Sequence, residues 1–193
     1  MLRDYLEESA HLHAGMASNR SINDEFDRIV AATLAVLEAG GKIMAAGNGG
    51  SAADAQHFTA EFVAKYKIER EAYPAMALTT DTSALTAIGN DYAFENIFER
   101  QVEAFGKPGD ILFCMTTSGN SQNIIKAIMA ARSRGVLTVA LLGKGGGHTK
   151  EMADFEIVVP SDNTPRIQEA QKIILHSVAE EVEKQYHAKH HLS

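Results

Sequence analysis

The sequence predicts an α/β fold: a single-domain, three-layer sandwich with a five-stranded parallel sheet between helices, helices at the N-terminus and a long C-terminal helix. Three observations predict it. Short apolar runs alternate with segments of helical period from residue 42 onward. The runs are nearly continuous in Val, Ile, Leu and Ala, as strands buried on both faces require. Each is separated from the next by enough chain for a crossover, which parallel pairing demands.

The first forty residues read as helix. Leu2, Tyr5, Leu6 and Ala10 follow helical spacing, and Ser21-Ile22-Asn23-Asp24 offers a start for a second helix. Phe26, Ile29, Val30, Thr33, Leu34 and Leu37 form its apolar side, and Gly40-Gly41 ends it. A strand at 42–46 leads through Gly47-Asn48-Gly49-Gly50 into a helix from Ser51 to about Tyr66. A strand at 75–78 precedes a helical stretch opened by Asp81-Thr82-Ser83-Ala84 and closed near Gly89-Asn90-Asp91. The third strand, 111–115, runs into Thr116-Thr117-Ser118-Gly119-Asn120 and a helix from Ser121 to Arg134. Strands at 136–142 and 155–159 flank a loop at Gly143–Gly147, and a last helix runs from Thr164-Pro165 to about Tyr186. The His-rich tail beyond it reads as a frayed terminus. No linker or second apolar pattern appears, so residues 1–193 are expected to form one domain, with 1–40 packed on it or in an oligomer interface.

Composition narrows the function classes. The one cysteine, Cys114, cannot form an internal disulfide and sits in an apolar run, as a small buried hydrophobe would. The polar N-terminus has no signal-peptide core, and no apolar stretch approaches ~20 residues, so a cytoplasmic protein without membrane partners is expected. A net charge of −7 lacks the footprint of a nucleic-acid binder. It leaves anionic small molecules open, because backbone N–H groups bind phosphate without net positive charge.

In such sheets ligands bind beyond the carboxyl ends of the strands, where two informative loops lie. At Thr116–Ser121 the hydroxyls of Thr116, Thr117, Ser118 and Ser121 crowd a helix N-terminus. Capping by Ser121 needs one hydroxyl. Four, with the helix dipole, suit a phosphate dianion. The Gly47–Ala52 loop also fits the loose dinucleotide fingerprint G-x-G-x-x-G/A, but Asp81 follows about thirty positions later instead of about twenty. No Walker lysine pattern occurs.

Two helices carry polar stripes. His57 and Glu61 are four apart, neighbours on one face, a spacing that suits joint metal ligation or a carboxylate orienting an imidazole. On the last helix Ile167, Ala170, Ile174, Val178 and Val182 mark the core side, while Gln168, Lys172, His176 and Glu180 lie elsewhere. Gln168 and His176 are separated by ~12 Å of helical rise. By spacing alone both sets read as solvated stripes, and whether all ligands come from one chain stays open.

The combination is specific. The segment Gly47–Phe58 resembles the signature of bacterial phosphoheptose (sedoheptulose-7-phosphate) isomerases, in the sugar isomerase (SIS) superfamily. So do Leu78–Ser83, Ala87–Tyr92, Thr117–Ser121 and Pro165–Glu169, in the same order across nearly the whole chain. The resemblance implies a flavodoxin-like SIS sheet and a homotetramer with active sites at subunit interfaces. The implied reaction converts sedoheptulose 7-phosphate to D-glycero-D-manno-heptose 7-phosphate, the first step of the ADP/GDP-heptose pathway to lipopolysaccharide core. The implied cofactor is zinc, one per subunit, at His57, Glu61, Gln168 and His176. Asn48, Gly49, Gly50 and Ser51 match a sugar-contact loop, Asn90 and Asp91 a second substrate pair, and Thr116–Ser121 the phosphate site. Gln168 and Glu61 are also expected to touch substrate. Thr116 stands where a serine is common, keeping the hydroxyl and adding a methyl.

For an enediol exchange Glu61 is assigned as the proton-transferring base and His176 as partner acid/base. Zinc would polarise the carbonyl. The rival reading is a non-catalytic SIS protein that binds the replication initiator and lacks that pair; both residues are present here. A sugar-phosphate-sensing regulator would need a DNA-binding module. A dinucleotide-dependent oxidoreductase would need a catalytic domain.

Overall fold

The computed structural model describes residues 1–191, and its backbone follows the expected order with three additions. Two helices, α1 (Leu2–Ser18) and α2 (Arg20–Glu38), precede β1 (Ile43–Gly47) and α3 (Gly50–Val63). Next come β2 (Ala75–Ala77) and α4 (Thr82–Asp91), then a 3-10 turn (Phe94–Asn96) and α5 (Glu99–Phe105). β3 (Ile111–Thr116), α6 (Gln122–Ser133), β4 (Leu137–Leu142), a second 3-10 segment (Lys144–Thr149), β5 (Phe155–Val158) and α7 (Thr164–His191) complete it.

All five strands pair in parallel, in the order β2-β1-β3-β4-β5. Alternate side chains serve opposite faces, as strand geometry requires. Ile43, Ala45, Ile111, Phe113, Val139 and Leu141 pack with residues of α2, α3 and α7, among them Ile29, Phe58, Phe62, Ile167 and Val178. Met44, Ala46, Leu112, Cys114, Ala140 and Leu142 pack on the other face against α5 and α6 through Val102, Ile124 and Ile128. Both faces are therefore covered, and a sheet of short parallel strands needs that cover.

Several boundaries move for local reasons. The second helix begins at Arg20, ahead of Ser21, because the Asn19 side chain accepts the Ile22 N–H at 3.2 Å. α5 and its preceding turn went unforeseen, since seven residues are too few for periodicity to show. They bury Ile97, Phe98 and Val102, and Gln101 donates to the carbonyls of Leu78 and Ile97 at 2.9 and 2.8 Å. The expected loop at 143–147 coils into the second 3-10 segment, with Gly145, Gly146 and Gly147 at positive φ. Contrary to a frayed terminus at Tyr186, α7 continues to His191. Tyr186 stacks between Tyr73 and His190, with ring centroids at 4.7 and 4.3 Å. The N-terminal helices pack on the α7 side of the sheet, yet Leu2, Tyr5 and Leu6 remain exposed.

Cys114 lies fully buried in the central strand β3, and burial pushes its thiol pKa up to about 12. The thiolate is the reactive form, so the native thiol is inert at neutral pH. A disulfide reagent is expected to leave the folded protein unlabelled and to titrate one thiol after denaturation. Rapid native labelling would contradict the burial.

Candidate active site

The strand order reverses between β1 and β3: from β1 the chain moves outward to β2, then returns to β3 on the other side. That is the switch point at which open α/β sheets leave a crevice. The loop after β1 carries Asn48–Ser51, and the loop after β3 carries Thr116–Ser121, so both expected binding loops open at the same edge.

Tight backbone geometry shapes each loop. A Cβ on Gly47 would lie 2.5 Å from the Ser51 carbonyl oxygen, so only glycine lets α3 start so close to β1. Gly119 has φ +65, and a Cβ there would lie 1.9 Å from the Gly146 oxygen. The glycine-rich segment after β4 thus braces the hydroxyl loop. Thr149 donates its N–H and Oγ1 to the Gly119 carbonyl at 2.9 and 2.7 Å, and the His148 N–H reaches Asn120 Oδ1 at 3.0 Å.

Ser121 occupies the N-cap of α6 but makes no side-chain cap bond. Its Oγ faces Thr116 Oγ1 at 3.3 Å, and Thr116 Oγ1 accepts the Gly119 N–H at 3.2 Å. Simple capping therefore does not explain the hydroxyls. With the N–H groups of the first turn of α6 they present donors of the kind that hold anions at helix starts. The two loops are tied by a reciprocal amide pair: Asn48 Nδ2 donates to Asn123 Oδ1 at 2.9 Å, and Asn123 Nδ2 returns a bond to Asn48 Oδ1 at 2.8 Å. Asn123, buried in α6, escaped sequence reasoning because no local pattern marks a partner so distant in sequence.

α3 and α7 lie side by side and run in the same direction. Gly50 faces Gln168, Asp54 pairs with Lys172 at 3.0 Å, and His57 meets His176, so contacts advance together along both helices. This apposition turns two separate stripes into a cluster. His57 Nε2 lies 2.8 Å from His176 Nε2 and 3.2 Å from Glu61 Oε1. One ligand atom from each of His57, Glu61 and His176 lies within 4.8 Å of the others. Two imidazole nitrogens face to face cannot both carry protons, and two lone pairs repel. A proton or a cation between them resolves the conflict. Burial and the adjacent His57 hold His176 below the ordinary histidine pKa, partly offset by Glu61. A neutral imidazole is the form that ligates metal.

Two imidazoles and one carboxylate match the donor set of a catalytic metal site that keeps an open position. Gln168 stands apart from this trio within the chain. It packs on Gly50, two helical turns before His176, with the Asp54–Lys172 pair between. It lines a cleft of about 360 Å³ with Gly50, Asp54 and Lys172. Asp54 is buried and paired, not part of a solvated stripe. Asn90 and Asp91 end α4, exposed and bonded to each other at 2.8 Å, ~15 Å along that helix from its start near β2.

Comparison with known proteins identifies the family and the fold. The SIS domain family matches residues 4–143, which include both loops, His57 and Glu61. The phosphoheptose isomerase of Clostridium acetobutylicum is 52% identical over 84% of this chain and 83% of its own. The structure of a phosphoheptose isomerase from Francisella tularensis superposes with a TM-score of 0.90 at 37% identity, covering 95% of this chain and 96% of its own. That of the Neisseria gonorrhoeae phosphoheptose isomerase gives 0.88 at 40%, covering 95% and 97%.

If the trio binds a divalent ion, titrating zinc into metal-free protein against a chromophoric chelator should show one site per chain. His57→Ala removes one of three donors and is expected to weaken it by roughly tenfold or more. An unchanged dissociation constant would exclude the trio as the site.

Proposed function

The chain belongs to the SIS-domain family and within it to the phosphoheptose isomerases, and from that premise we propose that it converts sedoheptulose 7-phosphate to D-glycero-D-manno-heptose 7-phosphate. The observation that carries this reading is the meeting of Glu61 with His57 and His176 where α3, the helix fed by the β1 loop, runs along α7. The reaction would open the heptose pathway to lipopolysaccharide core.

The phosphate sits in the cradle of Thr116, Thr117, Ser118 and Ser121, where N–H groups and the α6 dipole offset its charge. Asn48, Gly49, Gly50 and Ser51 receive the sugar chain, and the Asn123 amide holds Asn48 in place. Glu61 takes a proton from C1 of the ketose while His176, in its imidazolium form, donates one to the C2 oxygen, their acid/base duty alternating with metal ligation. The C1–H electrons form the C1=C2 bond and the C2 carbonyl becomes a hydroxyl. Glu61 then returns its proton to C2, His176 recovers one from the C1 oxygen, and the aldehyde forms at C1. Zinc, one per subunit, is assigned to the His57–Glu61–His176 trio; when bound it supplies positive charge beside the sugar oxygens. Gln168, expected as a fourth ligand, lies too far along α7 to join the trio within one chain, and its place beside Gly50 in the cleft supports its role as a substrate contact.

A homotetramer with active sites at subunit interfaces completes the proposal. Its support is what one chain leaves uncovered: Leu2, Tyr5, Leu6 and Ile173 are exposed, and Asn90 and Asp91 face solvent. In the assembly that Asn–Asp pair would serve substrate at a neighbouring site. No helix among the described residues is long and apolar enough to cross a membrane. The initiator-binding alternative loses ground because the catalytic pair is assembled.

Purified protein with sedoheptulose 7-phosphate and zinc is expected to yield the aldose, and Glu61→Gln and His176→Ala to lower kcat by roughly 10²–10⁴ with the fold intact. No product with zinc present would shift the reading to a binding protein. Near-normal turnover in either variant would remove that residue from the chemistry. Turnover indifferent to a chelator would keep the isomerase and discard the metal requirement.

A further inference from the structure

Glu61 rides on the last turn of α3, which ends at Val63. Helix ends fray, and their last carbonyls lack intrahelical partners. A reacting carboxylate there needs an external restraint, and the structure provides one. Arg70 Nη2 donates to the Glu61 carbonyl at 2.7 Å, and Nη1 donates to the carbonyls of Phe62 and Glu71 at 2.9 and 2.8 Å. Arg70 Nε donates to Glu183 Oε1 at 2.8 Å. The same Glu183 carboxylate accepts the backbone N–H groups of Tyr66, Lys67 and Ile68 at 2.8, 2.7 and 2.9 Å. Both side chains are 1% exposed, and the Arg70 guanidinium lies over the Tyr73 ring at 3.8 Å.

Glu183 lies on α7, two turns beyond His176 and on the same side of that helix. One buried ion pair thus joins the end of the helix that presents Glu61 to the helix that presents His176. Such a pair contributes little net stability relative to well-packed apolar residues of similar volume. What it supplies is geometry. Lys67 and Glu180 bridge the same elements at the surface, at 2.8 Å, where an exposed pair restrains little.

We propose that Glu183 and Arg70 are positioning residues for the isomerase centre: by closing the last turn of α3 onto α7 they set the separation of Glu61 from His176. This rests on the reading of Glu61 and His176 as the reacting and metal-holding groups. Neither Glu183 nor Arg70 lies in the phosphate or sugar loops, so substrate capture should be spared.

The test compares wild type with Glu183→Gln, Arg70→Lys and, as a surface control, Glu180→Gln. All are assayed at a temperature where circular dichroism shows each variant folded. Glu183→Gln sets an amide N–H₂ against N–H donors. Arg70→Lys keeps the charge but cannot cap both carbonyls, and it carries the test if the first variant fails to fold. Each is expected to lower kcat roughly 10- to 100-fold, to leave KM within about twofold, and to raise the zinc dissociation constant about tenfold or more. Glu180→Gln should match wild type in all three. A folded Glu183→Gln or Arg70→Lys protein with wild-type kcat and zinc affinity, while Glu61→Gln is inactive, would overturn the positioning role alone. A Glu61→Gln protein that still turns over would overturn the underlying site reading, and this inference with it.

Discussion

The parallel apposition of α3 and α7 on one face of the sheet is the constraint on which the site depends. Each helix is anchored by its own apolar side, α3 through Phe58 and Phe62 and α7 through Ile167, Ala170, Val178 and Val182. With those faces buried, the adjoining polar edges meet along a shared seam. Contacts run in order from Gly50–Gln168 through Asp54–Lys172 and His57–His176 to the Glu183 carboxylate under the 66–68 turn. A slip of one residue in either helix would turn its polar stripe by about 100° and dissolve the cluster. The His57–Glu61–His176 cluster is therefore a product of core packing, though none of its members belongs to the core.

The sheet imposes the second requirement. Because β1 and β3 are adjacent and parallel, the loops that leave them emerge at one edge and point the same way. The β1 loop feeds the helix that bears His57 and Glu61, while the β3 loop feeds the helix whose N-terminus faces the hydroxyls. The proposed phosphate grip needs no net positive charge, because N–H groups and hydroxyl dipoles supply partial charges. The Asn48–Asn123 amide pair ties the β1 loop to the first turn of α6.

Much of this was legible beforehand, for physical reasons that differ between elements. The strands could be read because burial on both faces forces continuous apolar runs, and the long helices because one-sided burial imposes a helical period. Short α5 has too few residues to display a period, and α7 outruns its apparent end where Tyr186 packs on the distant Tyr73 ring. Asp54 shared a stripe with His57 and Glu61, yet it is buried against Lys172. Arg70 and Glu183 carry no local signal in the sequence, yet their side chains are buried against each other. In each case the decisive partner lies far away in the chain.

From its residues alone the sequence determined the fold class and the two strand-to-helix loops, one of them crowded with hydroxyls, because composition and local spacing are dictated by near neighbours. By spacing His57, Glu61, Gln168 and His176 were members of two polar stripes, and the family resemblance is what singled them out. Tertiary structure alone decided that His57, Glu61 and His176 meet within one chain while Gln168 stays beside Gly50. It also decided that Ser121 caps no helix N–H through its hydroxyl, and that Arg70 and Glu183 close the end of α3. Those facts depend on which helix faces lie together and in what register. That is settled by burying two apolar faces on one sheet, an energy that no single stretch of sequence contains.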